Sequence, residues 1–451
     1  MEALAYAAYL LVSLLGLLQA ILVGVQTWEH RRFARRRLAG LHGAVPRGRV
    51  LVIVPCCGAE PGLEENLRTV LAQDYPDYAV RFVVESSRDP ACGVIWRLIR
   101  QHPQVDAEVV VAGRATTQGQ KVHNLLSATA QLPPDIEYLA FADSDARLRP
   151  QWLRALVGGI DGADVVAATG YRWFVPARNS LANFLVYSLN SCVAVFLGKN
   201  SPTVVWGGSW AIRRRHFEWL GLRRAWQGML DEDLVAGGVF RRAGLRVAFE
   251  PACMVATPVD HGFKAMLAFA RRQYFLTRFY SRLAWHVIAL STVLANAVFW
   301  SNVAAASIGF WQRAGWAWLP ASLAAALYGI GAATGYLRSD LAGLYFPELR
   351  HRLRGARWFE VLAGPLIILA NLVVVGASAI GREIRWRGIA YRLHPDGRIA
   401  AIRRAEDAWP RGPHWSPREI LPGSPANNAT EPAAGAEWRE AVLPHDLGAK
   451  A

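Results

Sequence analysis

The sequence predicts an α/β domain with a mainly parallel sheet, held between an N-terminal membrane anchor and a C-terminal helical membrane region. Three observations predict it. The chain is 53% hydrophobic and only 19% charged, more apolar than a soluble chain of ordinary composition. The excess is gathered into runs near the two ends. Between those runs, short β-branched stretches alternate with helix-like patterns.

The first run, Ala3–Gln26, carries no charged residue, and a helix needs about 20 apolar residues to cross a bilayer. A cleaved signal peptide would begin with basic residues and have a shorter apolar core. Here the start carries Glu2 and no Lys or Arg, so 1–30 is read as an uncleaved anchor. Three later runs, 287–311, 317–336 and 361–380, place membrane segments within 284–393. The α/β domain is expected over 47–280. PGSPANNATEPAAGAEW, within 405–451, reads as a disordered tail.

Basic residues beside the spans set the orientation. HRRFARRR (His30–Arg37) and the loop Arg338–Arg357 are basic, which puts both, and the α/β domain, on the cytoplasmic side. Gly381–Leu393 is basic as well, yet a full crossing by 361–380 would place it outside. Pro365 sits early in that run, so it is read as a re-entrant or interfacial segment. The net charge of +15 lies beside apolar runs and suits anionic headgroups better than nucleic acid. Five cysteines without a CxxC pair indicate reduced thiols rather than disulfides or a zinc site. The Ala- and Arg-rich composition points to a bacterial inner membrane. Nothing in the sequence fixes an oligomeric state.

Within the domain, VLVIVP (Val50–Pro55) is expected as a buried strand. A helix over 63–73 follows, then VRFVVES, a helix over 94–100, EVVVA, a helix over 121–129, and YLAFADSD. Ligands of such sheets sit beyond the carboxyl ends of the strands. Glu85, Asp143 and Asp145 all fall at such ends. The DxD pair has two readings: an Asp-rich turn capping backbone amides, or hard oxygen ligands for a divalent cation shared with phosphate.

The order VPCCGAEPGLEENLRTVLAQDYP, VVESSRDPA, GQKVHNL, FADSDARLRPQWL, WGGSWAIRR, LDEDL resembles family 2 glycosyltransferases of GT-A fold, in particular the ceramide glucosyltransferase-like branch. The resemblance covers about Val50–Phe249 motif by motif. It implies that Pro55 opens a sugar-nucleotide pocket, with Glu85 near base or ribose and Asp89 at an early acidic position. It implies that Lys121 and Asn124 face the nucleotide, that Asp143 faces ribose and metal, and that Asp145 binds the metal, Mg or Mn. Gly207, Gly208 and Ser209 would shape the sugar and acceptor region; Trp206 is open between stacking and core. Asp233 would be the general base, against the alternative that Asp231, Glu232 and Asp233 merely favour a helix N-terminus. The family's Q/R-x-x-R-W motif is missing. In Phe269–Tyr280, Arg271, Arg272, Gln273 and Arg278 are expected to meet diphosphate or headgroups, with Tyr274 in place of the Trp. The implied activity is an inverting, metal-dependent transfer of a hexose from a UDP-sugar to a lipid hydroxyl, ceramide or similar, giving a β-glycoside. A membrane polysaccharide synthase and a non-catalytic scaffold are the alternatives.

Overall fold

The computed structural model describes residues 2–40, 48–162, 164–198 and 204–404; the expected tail at 405–451 lies outside them. Two compact units divide the chain: Arg37–Arg172 with Thr203–Thr257 and Arg382–Ala451, and Met1–Arg36 with Trp173–Pro202 and Pro258–Gly381.

The first unit is α/β. Strands β1 (Arg49–Pro55), β2 (Tyr78–Val84), β3 (Asp106–Val111), β4 (Ile136–Ala142), β5 (Val165–Pro176), β6 (Ser209–Arg213) and β7 (Arg246–Val259) form one sheet in the order β3-β2-β1-β4-β6-β5-β7. The pairs β1–β2, β1–β4 and β2–β3 are parallel, while β6 is antiparallel to β4 and β5. The apolar run of β1 serves both faces. Val50, Val52 and Val54 enter one core with Leu63, Leu67 and Leu98. Leu51 and Ile53 enter the other with Val122, Leu125 and Phe240. In β4, Tyr138 and Ala140 face the first core, and Leu139 and Phe141 the second. Period-two side chains on a strand buried on both faces require such a continuous run, and each full burial contributes roughly 1.5–3 kcal/mol. Strand order reverses between β1 and β4, so a crevice opens beyond their carboxyl ends.

Three further strands, β8 (Glu383–Trp386), β9 (Ile389–Leu393) and β10 (Ile399–Arg404), make an antiparallel sheet. It belongs to the α/β unit: the Ile399 N–H donates to Gly228 O at 2.8 Å, and Arg398 bridges Met229. The expected basic juxtamembrane stretch is thus corrected to a hairpin in which Ile384, Ile389, Tyr391 and Leu393 are buried.

The second unit is helical. Leu4–Ala39, Arg282–Trp311 and Gly315–Tyr345 are long and apolar enough to cross a membrane. Most of the expected run 361–380 is the helix Gly364–Ala379, which follows Arg354–Leu362 at a bend of 86°, a geometry that suits a broken span or a re-entrant segment. Pro365 causes the break: without an N–H it cannot continue the preceding helix but suits the first turn of a new one. The segments Leu181–Ala194 and Phe263–Tyr280, expected within 47–280, pack in this unit.

Polar side chains cross-link these apolar helices, because a polar group among apolar neighbours must find a partner. Tyr9 donates to Asn302 (2.6 Å), Gln19 to Ser291 (2.7 Å) and Asn371 to Thr292 (3.0 Å). The buried Glu360 carboxylate accepts from Ser188 (2.7 Å), Ser191 (2.9 Å) and the Arg338 guanidinium. Glu360→Leu alone strands the Arg338 charge and should cost about 3–5 kcal/mol, whereas Glu360→Leu with Arg338→Met should recover much of it. Unfolding of the detergent-solubilised single and double variants checks this, and equal losses in both would refute the pairing.

Candidate functional site

The site builds up where β4 ends beside the start of β6. Antiparallel pairing sets Ala142 against Ser209, so Asp143 emerges next to the Gly207–Gly208 turn and its N–H reaches Gly208 O at 3.4 Å. A second element arrives from the Lys121 helix, Gln120–Ala128. Gly119 before it donates to Met229 O at 2.8 Å, which brings Lys121 alongside the acidic triplet 231–233. The Trp226 indole N–H donates to Glu232 O at 2.9 Å and fixes that turn.

Lys121 joins the two elements. Its Nζ lies 2.6 Å from Asp143 Oδ1 and 2.6 Å from Glu232 Oε1. Arg172, on β5, adds contacts of 3.1 Å to Asp143 and 3.5 Å to Asp145. Its guanidinium carbon also stands 4.8 Å from the Trp206 ring centroid, so Trp206 packs on a cation here. Burial opposes the charge on Lys121, but Asp143 and Glu232 outweigh it and push the ammonium pKa up. Burial likewise disfavours the Asp143 charge, yet Lys121 and Arg172 hold it below the usual carboxylate value. For Glu232 burial dominates over Lys121, and its carboxyl rises to about 7. Burial and the neighbouring Asp233 push Asp231 up well above the usual carboxylate range.

Asp233 opens its helix, Asp233–Arg242, and its Oδ2 accepts the Gly207 N–H at 2.6 Å. Asp231 and Glu232 are buried, whereas Asp233 is partly exposed. Of the three carboxylates, Asp233 is the one an incoming molecule can reach.

The sequence-expected residues divide into two groups. Lys121, Asp143, Asp145, Gly207, Gly208 and Asp233 come together. A shallow pocket lined by Cys57, Gly58, Glu60, Pro61, Leu63, Asn66, Ser144 and Asp145 adjoins them, just past Pro55 at the end of β1. Asp89 lies behind that loop, accepting from Gly58 N (2.9 Å) and Ala91 N (2.8 Å). The others serve different contacts. Asn124 is buried, accepting from Gln120 (2.8 Å) and donating to Val83 O (3.4 Å), so it ties its helix to β2 and does not present a free amide. Glu85 is buried and carries Arg404 at 2.7 Å on both oxygens. Ser209 is buried, accepting the Trp152 indole N–H at 2.8 Å. Arg272 and Gln273 belong to the helical unit, where Arg272 stacks 5.1 Å from the Phe269 ring centroid. There Arg271 donates to Ala377 O (2.9 Å) and Ile380 O (2.8 Å), and Arg278 to Ser378 O (2.9 Å). These arginines cap the carbonyl end of Gly364–Ala379, as cations near a helix C-terminus do. Tyr274 donates to Asn371 at 2.7 Å, inside the bundle.

Arg172 had no motif to announce it, and Gln120 stood in GQKVHNL without being singled out. Gln120 accepts from Ala115 N (2.9 Å) and donates to Gly113 O (2.9 Å), fixing the loop before Lys121.

An acidic cluster with a buried lysine at the switch point of a mostly parallel sheet is an arrangement suited to a nucleotide-dependent transferase. The family profile of glycosyl transferase family 21 matches residues 10–399, and the chain belongs to that family. Ceramide glucosyltransferase 1 of Caenorhabditis elegans is 29% identical over 103 residues, 22% of this chain and 21% of that protein. A ceramide glucosyltransferase of Komagataella phaffii is 39% identical over 61 residues, 14% of this chain and 12% of that protein. One of Gibberella zeae is 28% identical over 131 residues, 27% of this chain and 23% of that protein. The matched part of this chain thus spans less than a quarter of each of these relatives. They are of the ceramide glucosyltransferase branch that the motifs resemble. A mannosyltransferase from Pyrobaculum calidifontis, solved with GDP-Man and Mn2+, aligns with a TM-score of 0.41 and 19% identity over 79% of this chain and 99% of that one.

A Cβ on Gly207 would fall 2.2 Å from Glu232 Oε1, 2.9 Å from Lys121 Nζ and 3.0 Å from Asp233 Oδ2. Two of these belong to the buried ion cluster, so room for the methyl is made only by disturbing it. Gly207→Ala should therefore lower both the unfolding midpoint and glycosyl transfer. Thermal unfolding measured alongside turnover checks this; unimpaired transfer would show that the positions of those three groups are unimportant.

Proposed function

We propose that this protein transfers a hexose from a UDP-sugar to the hydroxyl of a membrane lipid, ceramide or a similar acceptor, with inversion at the anomeric carbon. The observation that carries the reading is the partly exposed Asp233 carboxylate, fixed by Gly207 N–H beside the Lys121–Asp143 ion pair. Family membership and the ceramide glucosyltransferase relatives support the reaction class and the lipid. Three helices of spanning length support a lipid acceptor.

In this reading the acceptor oxygen attacks the anomeric carbon while its proton passes to Asp233. The bond from that carbon to the diphosphate breaks, and its electron pair leaves with UDP. One displacement inverts the centre. Lys121 and Arg172 supply positive charge against the carboxylates of Asp143, Asp145, Glu232 and Asp233, leaving an acidic surplus of hard oxygens. That donor set fits Mg or Mn, which need only one or two protein carboxylates alongside substrate phosphate. Asp143 and Asp145 would hold the ion, which when bound neutralises charge on the departing diphosphate.

Chain path and flanking charge support a cytoplasmic side for the α/β unit. β8–β10 fold with β1–β7 in one unit, so both lie on one face of a bilayer. If Arg282–Trp311 and Gly315–Tyr345 each cross, the chain is returned to that face before residue 354. The bent pair then enters and leaves on the same side, as a re-entrant segment. The arginines of His30–Arg37 make that side the cytoplasm.

Two variants separate binding from chemistry. Asp233→Asn keeps shape and the Gly207 contact but cannot take a proton. It should lower kcat by about 10²–10⁴-fold, the usual worth of a general base, with UDP-sugar affinity little changed. Near wild-type turnover would move the base elsewhere. Asp145→Ala should abolish turnover that added Mn²⁺ supports in wild type; wild-type activity undiminished by EDTA would exclude the cation.

A further inference from the structure

We infer that the C-terminal sheet is a strap that sets the pocket loop after β1, with Arg387 as its positioning residue. The inference rests on the donor-site reading above for what that loop binds. β8 and β9 pair Trp386 with Ile389, leaving a two-residue turn of Arg387 and Gly388. Both have positive φ, 48° and 77°, the type I′ geometry that favours Asn, Asp or Gly at its first position. An arginine held left-handed there is an outlier whose side chain has a use. Its guanidinium donates to Cys57 O at 2.9 Å and forks onto Glu60 at 2.8 and 3.3 Å.

Cys57 and Glu60 line the same pocket as Asp145. Their loop is intrinsically soft, because Gly58 and Gly62 sit at φ 73° and 84° and glycine enters that region freely. Asp89 holds Gly58 from one side, and Arg387 holds its neighbours from the other. The same sheet also holds two elements beside that loop. Arg404 closes on the buried Glu85 and on Gln120 Oε1 at 2.5 Å, and Tyr391 Oη accepts the Gln120 N–H at 3.2 Å. Gln120 directly precedes Lys121. The strap therefore fixes the pocket loop, the end of β2 and the start of the Lys121 helix together. Arg387 acts through Cys57 and Glu60.

The test uses the full-length protein in detergent, comparing wild type with Arg387→Ala, Arg387→Lys and, as a control in the same sheet, Arg385→Ala. Backbone hydrogen exchange over 56–63 should quicken in Arg387→Ala by about tenfold or more, the scale of a lost charge-assisted hydrogen bond. Arg387→Lys should fall between and Arg385→Ala should match wild type. UDP titrated with Mn²⁺ by calorimetry should bind Arg387→Ala more weakly by a similar factor, and KM for UDP-sugar should rise with kcat nearly constant. Unchanged exchange over 56–63 would overturn the strap. Faster exchange with unchanged UDP affinity would overturn the positioning role. A wild type that binds neither UDP nor UDP-sugar would refute the donor-site reading, while the exchange result would still decide the strap.

Discussion

Lys121 carries its charge between Asp143 and Glu232, two carboxylates delivered by different parts of the fold, and the site depends on that arrangement. A buried ammonium or carboxylate alone is costly, since neither finds in a protein interior the solvation it had in water. Three such groups placed within 2.6 Å contacts compensate one another, and the turns that bring them together become mutually dependent. Removing Lys121 takes the shared countercharge from both carboxylates, so the ammonium holds the β4–β6 edge and the 231–233 turn together. Gly207 follows from the same constraint, since space beside it is taken by Glu232, Lys121 and Asp233, while Gly208 is crowded first by the Trp206 ring and then by Asp143.

Much of the α/β unit was legible because a two-sided strand leaves little choice. VLVIVP has no polar residue to turn outward, and YLAFADSD stops its apolar run where carboxylates begin. The residues that gather around Asp143 were also marked by type and order. Their partners were not. Arg172 lies on a strand 27 residues beyond Asp145, and no local pattern says which way an arginine on a strand faces. Asn124 stood in a motif but spends its amide on the backbone of β2, because a buried amide must be satisfied wherever it sits.

The C-terminal sheet was hidden for a different reason. In EIRWRGIAYRL the period-two alternation of Ile384, Trp386, Ile389, Tyr391 and Leu393 is present, yet its arginines follow an apolar run, the setting in which basic residues ordinarily flank a membrane. The turn is Arg-Gly rather than Asn-Gly, so the strongest short-range hairpin signal is absent. Similarly, the arginines of Phe269–Tyr280 are explained by the carbonyls of a helix about a hundred residues later, a partner that no local reading supplies.

The ion pair between Glu85 and Arg404 spans 319 residues, with every candidate membrane helix after the anchor encoded between them. A ribosome therefore finishes β1 to β7 long before the hairpin that completes the unit emerges. During that interval the Cys57–Glu60 loop lacks Arg387 and Glu85 has Arg114 but not Arg404, and contacts so distant in sequence form late. The nascent protein would insert its hydrophobic helices before its aqueous unit is complete. The pocket loop is therefore completed only after the whole helical unit has been made: a chain ending at residue 282 has β1 to β7 but not the hairpin that meets the loop.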